Sequence, residues 1–295
     1  MKNYLPKILI TGGTGQLGCA LLHHPRAREF RITSCSHKIM DIMSTASIDH
    51  AITTFSPDII INTAAYTFVD KAENEMELCM RVNYEGVKNL ALACTKHQIP
   101  LLHISTDYVF NGMKASPYLE SDTVNPINAY GKSKWNGEQA IREQCKQHII
   151  LRVSGIFSEY GHNFLKTMLH LAQEKKELHI VADQITCPTY ASNIANVIYT
   201  IAQQLSSWGT YHYCDIQPVS WHQFASAIIH EAKQHHKLPI ENVKAITSAE
   251  YPTLATRPLN SILDCSKLER EYGIQQAAWI DAVKHLIANM PWDSQ

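Results

Sequence analysis

The stretch Lys7–Gly18, KILITGGTGQLG, decides how the rest of the chain is read. Ile8, Leu9 and Ile10 form a short apolar run of the kind that becomes a strand buried in a parallel sheet. Glycines at 12, 15 and 18 end that run, and a helical pattern follows. Glycine at these positions lets the backbone turn tightly and brings amide N–H groups against a phosphate. It also lets the next helix pack close, with its positive end towards the anion. Glycine-rich loops are common in isolation; one set between a strand and a helix points to a dinucleotide.

Outward from this loop, β-rich runs alternate with helical patterns. Further strands are expected at 31–34, 58–65, 100–106 and 148–153, and helices at 15–24, 46–55, 76–97 and 129–145. This alternation specifies an α/β fold, a Rossmann-like doubly wound parallel sheet with helices on both faces. The second half is more mixed, with strands expected at 178–182 and 210–214 and helices at 192–205, 220–236, 266–271 and 278–288. A dinucleotide-binding domain is therefore expected over residues 1–155, its sheet completed by segments within 178–215. A smaller, mainly substrate-binding lobe is expected over 156–295. Ligands of such sheets lie beyond the carboxyl ends of the strands, which singles out Gly12 and the stretches 34–38, 64–70, 105–107 and 154–157.

Composition excludes several function classes. A net charge of −1 over 295 residues, without a basic run, argues against a nucleic-acid partner. No apolar stretch approaches the roughly 20 residues needed to span a bilayer. The opening MKNYLPKILI runs straight into the first strand, without the apolar region of a signal peptide. Eight scattered cysteines with no Cys-x-x-Cys suit a reducing compartment, so a cytoplasmic location is expected. Of sixteen histidines, the adjacent pairs His23–His24 and His235–His236 point to different helix faces and belong to no ligand pattern; no metal is expected. Trp221, Trp279 and Trp292 read as packing residues.

The second strong signal is NAYGKSKWNGE, which holds Tyr130 and Lys134. Four residues apart on a helix, the two side chains share one face. An ammonium about 4 Å from a phenol contributes roughly 4 kcal/mol at an effective dielectric near 20. That equals about three pKa units, enough to bring a tyrosine from about 10 towards neutrality. Such a phenol passes a proton to or from a substrate oxygen. Upstream, Ser105-Thr106-Asp107 ends a strand on the same rim as the glycine loop, where a hydroxyl can hold a carbonyl beside the tyrosine.

The segments TGGTGQLG, NTAAYTFVDKAE, STDYVFNG, NAYGKSKWNGE and YPTLATRPLNS, taken in order, span nearly the whole chain. Together they resemble the extended short-chain dehydrogenase/reductases and, more narrowly, the dTDP-4-dehydrorhamnose reductase family. The resemblance implies reduction of a dTDP-4-keto-6-deoxyhexose with a nicotinamide cofactor, in the service of surface polysaccharide. By matching position it implies that Thr106 bonds the keto oxygen, Tyr130 protonates it, and Lys134 binds the nicotinamide ribose. Gly12, Gly15, Gln16, Leu17 and Gly18 would line the pyrophosphate, and Ala64, Ala65 and Thr67 would flank the cofactor. Asp107 would lie at the sugar site, with Gly155 and Arg257 as further substrate-side positions. Asn83 matches a position that supports the active site through its helix. A homodimer is the assembly the family suggests. Dehydratases of the superfamily follow the threonine with an Asp-Glu pair; here Tyr108 follows Asp107, which disfavours dehydration.

Departures from the family pattern refine these expectations. The acid that usually ends the second strand is replaced by Cys35, beside Ser36, His37 and Lys38, with Asp41 and Ile42 completing that edge of the cofactor site. Without a carboxylate there, a 2′-phosphate fits, which favours NADPH while leaving NADH open. Gly155 stands where the family usually carries a tryptophan, leaving the hexose open. Ala20 replaces a glutamate used for magnesium at a dimer contact. Arg257 either contacts the nucleotide diphosphate or braces the C-terminal lobe. The alternatives are a reductase or epimerase acting on a different nucleotide-linked keto sugar and, from a contrasting function class, a non-catalytic subunit of the same fold, such as the regulatory subunit of methionine adenosyltransferase; intact Thr106, Tyr130 and Lys134 favour the enzyme over the subunit.

Overall fold

A computed structural model describes residues 5–290 of the chain. Five strands of the main sheet follow one another along the chain: β1 (Lys7–Thr11), β2 (Arg31–Cys35), β3 (Ile59–Asn62), β4 (Leu101–Thr106) and β5 (His148–Val153). A sixth, Gly209–Tyr213, pairs with β5, and the spatial order is β2-β1-β3-β4-β5 followed by Gly209–Tyr213. Every pairing in this sheet is parallel. Strands covered on both faces need apolar residues at successive positions, and Leu9, Ile10, Ile60 and Ile61 are all fully buried. One core lies between the sheet and the helices Gln16–His23 and Ala191–Gln203; the other lies under Thr45–Phe55 and Val87–His97.

The order reverses between β1 and β3. At this point the connections leave in opposite directions and open a crevice at the strand ends, where a doubly wound sheet takes its ligand. The loop after β1 and the segment after β3 form its walls.

The expected strand at 178–182 forms as Glu177–Val181 but does not join the main sheet. It pairs in parallel with Asn242–Ile246, a short and largely exposed strand (NVKAI) that the sequence reading does not anticipate. Both belong to the second part of the chain, where the helices Phe164–Glu174, Trp221–His235 and Trp279–Asn289 enclose a separate apolar core. Trp279 is buried in that core and Trp221 packs against it, while Trp292 lies outside the described residues. The expected single helix at 76–97 is interrupted: Met76–Met80 passes through a π-helical turn, Arg81–Gly86, into Val87–His97. All eight cysteines are free. No helix among the described residues is long and apolar enough to cross a membrane.

Candidate active site

The loop after β1 is built by close approach. Gly12 has φ +68°, and a Cβ there would lie 2.6 Å from the Ala64 amide nitrogen, so glycine alone allows the two strand ends to meet. A Cβ at Gly18 would sit 2.5 Å from the Gly12 carbonyl, which fixes how tightly the helix Gln16–His23 seats on the loop. That helix begins at Gly15 without a side-chain cap and without an acidic residue in its first turn. Its first amides are thus left for an anion, in an exposed position around Thr14 and Gly15. This cradle fits the pyrophosphate of a dinucleotide. Leu17 contributes only main chain to it, because its side chain is buried in the core. Gln16 accepts a hydrogen bond from Ser158 Oγ at 3.0 Å, joining the loop to the segment after β5.

At the end of β2, Cys35 is buried, whereas His37 and Lys38 are exposed and Ser36 is half-buried. Asp41 accepts from the Met43 amide at 3.0 Å and lies 3.5 Å from His37. Ile42 is buried against Gly86. After β3, Ala64 and Ala65 are half-buried and Thr67 is exposed, on the opposite wall of the crevice.

The helix Ala129–Gln144 carries Tyr130 and Lys134. Asn128 caps it, accepting from the Gly131 amide at 2.7 Å, and binds the Thr256 carbonyl at 2.9 Å. A Cβ at Gly131 would fall 2.1 Å from the Tyr108 carbonyl, so only glycine lets this helix press against the end of β4, where Thr106 lies. A buried ion cluster anchors the helix further along. Glu138 takes Arg152 at 2.9 and 2.7 Å, Arg142 at 2.8 Å and Ser105 Oγ at 2.5 Å. Burial opposes ionisation of Glu138, but the two guanidinium groups and Ser105 outweigh it and hold its pKa down to about 2.

Asn83 lies in the π turn and is fully buried. It clasps both main-chain groups of Tyr66 (2.9 and 3.0 Å) and donates to Ser133 Oγ at 2.9 Å. Ser133 in turn donates to the Tyr130 carbonyl at 2.7 Å. The extra residue of the π turn thus links the β3 wall to the helix bearing Tyr130, a placement typical of π-bulges near functional sites.

Thr106 ends β4, its hydroxyl donating to Asp107 Oδ1 at 2.8 Å and accepting from the Tyr108 amide at 3.2 Å. Asp107 is buried and also accepts from Ser154 at 2.8 Å; burial raises its pKa against these hydrogen bonds. The Tyr130 ring meets Tyr108 edge-on, with centroids 6.0 Å apart. The expectation of a Tyr130 made acidic by Lys134 is corrected here. Burial pushes the phenol pKa well above its ordinary value, and Asp107 and Tyr108 add to the rise, opposed only by Thr106. Lys134 does not figure among the groups that set this pKa: its Nζ donates to the Ile104 carbonyl at 2.6 Å and lies 3.2 Å from His103 Nε2. Its own pKa falls to about 8, chiefly through burial.

Of the substrate-side positions, Gly155 has φ +52° and faces the Thr186–Pro188 segment, with Cys187 O 3.1 Å from where a Cβ would sit. That segment occupies the space beside it. Arg257 makes a bidentate pair with Asp70, at 3.0 and 2.6 Å, and Asp70 also accepts from the Ala255 amide at 3.1 Å. The pair ties the VDKAE segment to the RPLNS segment across 187 residues of sequence. Asp70 lies in the 64–70 stretch that the strand-end argument singles out, but its pairing with Arg257 has no local signal because the two are remote in sequence. Among the described residues no group of three or more His, Cys, Asp or Glu is placed to hold a metal.

The chain matches the RmlD substrate binding domain family over residues 6–291. It is 43% identical to a dTDP-4-dehydrorhamnose reductase of Aggregatibacter actinomycetemcomitans, over 96% of this chain and 99% of that protein. The chain belongs to the dTDP-4-dehydrorhamnose reductase family. A second such relative, from Sinorhizobium fredii, is 38% identical over 95% and 96% of the two chains. The solved dTDP-4-dehydrorhamnose reductase of Bacillus anthracis, in complex with NADP, superposes with a TM-score of 0.92 at 34% identity, covering 97% of this chain and all of that one. The fold expected from the opening loop is therefore also the fold of a family member solved with a dinucleotide.

Proposed function

We propose that this protein is an NADPH-dependent reductase of a dTDP-4-keto-6-deoxyhexose, converting dTDP-4-dehydrorhamnose to dTDP-L-rhamnose for surface polysaccharide. The observation that carries the reading is that Thr106 reaches Tyr130 while the buried Lys134 is seated on the Ile104 carbonyl of the same strand, β4, whose end lies on the rim that also holds the open phosphate cradle. The relatives' name and the NADP in the Bacillus anthracis structure support it. A bound nicotinamide dinucleotide would supply the hydride that reaches carbon 4 of the sugar.

The chain's own residues do the rest. Gly12, Gly15 and Gly18, with the amides of Gln16 and Leu17, hold the pyrophosphate. Ser36, His37 and Lys38 receive a 2′-phosphate, since the buried Cys35 leaves no carboxylate at the β2 end to repel it; NADH fits the same loop with fewer contacts. Ala64, Ala65 and Thr67 close the opposite wall. Thr106 orients the keto oxygen by turning its hydroxyl from Asp107 to the substrate. Tyr130 then gives its proton to that oxygen: the phenol O–H breaks and the sugar hydroxyl forms. With its pKa raised by burial, Tyr130 carries its proton at neutral pH, so the proton to be transferred is on the phenol at the outset. Free cysteines and an NADPH reductant support a cytoplasmic setting for the reaction.

Purified protein supplied with the keto sugar and NADPH should consume the cofactor and yield the 4-hydroxy product. Tyr130→Phe should lower turnover at least ~100-fold, the usual worth of a positioned acid, with NADPH binding nearly intact. Loss of NADPH binding together with turnover would overturn the role given to Tyr130.

A further inference from the structure

Three buried polar side chains cross the main sheet in one row. Thr11 on β1, Asn62 on β3 and His103 on β4 are register partners on adjacent strands, and none has exposed surface. In otherwise apolar strands, a polar row of this kind costs stability unless every member is satisfied. Here each one is: Thr11 Oγ1 donates to Asn62 Oδ1 at 2.6 Å, Asn62 Nδ2 meets His103 Nδ1 at 2.9 Å, and His103 Nε2 meets Lys134 Nζ at 3.2 Å. The row starts at the base of the phosphate cradle and ends at Lys134.

The direction of every bond in the row follows from one main-chain group. The Ala64 amide, which can only donate, points at Asn62 Oδ1 at 3.1 Å. That fixes the amide orientation of Asn62, so its NH2 group faces His103 and donates to Nδ1. A neutral imidazole that accepts at Nδ1 carries its proton on Nε2. This N–H then points at Lys134, where a neutral amine can accept it and an ammonium cannot.

Resting on the reductase reading above, we propose that Asn62 and His103 are positioning residues that present an Nε2–H to Lys134 and so stabilise its neutral amine. When Tyr130 has given its proton to the sugar oxygen, the phenolate recovers one from Lys134. The lysine N–H bond breaks, the phenol O–H forms, and the amine lone pair is held by His103 until solvent returns the proton. The other titratable groups acting on Lys134 are Glu138, on its own helix, and Cys79, from the helix Met76–Met80; both favour the ammonium. His103 is the neighbour that favours the amine, and burial beside Lys134 keeps His103 itself uncharged.

The test is spectroscopic first. Long-range 1H–15N correlation on 15N-histidine-labelled protein without substrate, with His103→Gln used to assign the signal, should show His103 neutral with its proton on Nε2 from roughly pH 6 to 8. An Nδ1–H tautomer or an imidazolium would overturn the proposal. Asn62→Asp replaces the donor facing Nδ1 by an oxygen that only accepts. It should switch His103 to the Nδ1–H tautomer and move the alkaline limb of the kcat profile up by about one pH unit. His103→Gln, whose amide can both accept from Asn62 and donate to Lys134, should keep the wild-type limb, whereas His103→Leu should shift it. An unmoved limb in Asn62→Asp and His103→Leu would refute the coupling. Should Asn62→Asp not fold, the wild-type tautomer and the Gln/Leu pair decide. A protein with the expected tautomer but no activity on the keto sugar would instead refute the reductase reading.

Discussion

Glu138→Gln removes one charge from the centre of the cluster that fixes the helix bearing Tyr130 and Lys134. The shape is kept, but the Arg152 guanidinium, 1% exposed, loses its counter-charge. The magnitude can be worked from the folded pKa of about 2 against an unfolded value of about 4.3. The difference corresponds to about 3 kcal/mol, at the lower end of the roughly 3–5 kcal/mol seen when one partner of a buried pair is removed. The sign follows from the direction of the shift. A carboxylate whose pKa is depressed by folding stabilises the protein above its unfolded pKa, and that contribution fades as pH falls through the folded one. Wild type and variant should therefore differ by about 3 kcal/mol at neutral pH and converge between about pH 4.3 and 2. In urea, with a slope near the upper end of about 1–3 kcal/mol per molar, the midpoint should drop by roughly 1 M at pH 7. Tryptophan fluorescence and circular dichroism across a pH series provide the assay. Equal midpoints at pH 7, or a gap that persists unchanged into acid, would refute the reasoning that the charge of Glu138 holds the cluster together.

Gly18→Ala should weaken NADPH binding by more than about tenfold, read by quenching or energy transfer from tryptophan, because its Cβ meets the Gly12 carbonyl and shifts the cradle. Asp70→Asn breaks the bidentate pair with Arg257. Since Asp70 is 40% exposed, the stability loss should stay near 0.5–1 kcal/mol while KM for the sugar nucleotide rises, separable by thermal melting and steady-state kinetics.

The family resemblance and the sheet were legible because their signals are local. Three consecutive isoleucines or a KILIT run announce a buried strand wherever they fall. Glycines at 12, 15 and 18 speak for a tight turn, and Tyr130 and Lys134 share a helix face by periodicity alone. The interruption of the helix at Asn83 left no such mark, since a π turn adds one residue without changing composition. The strand Asn242–Ile246 was hidden for a related reason: short and with three of its five residues exposed, it forms because Glu177–Val181 offers it a partner.

What the sequence determined by itself was the order of elements, the phosphate cradle and the identity of the polar groups at the strand ends, because these follow from sterics and periodicity over a few residues. Only the tertiary structure decided what those groups do to one another. It seated Lys134 on Ile104 and His103, raised the phenol pKa by enclosing it, and joined Arg257 to Asp70. Solvation and hydrogen-bond direction depend on which strands lie side by side and in what register, and that is set by contacts between residues tens to hundreds of positions apart.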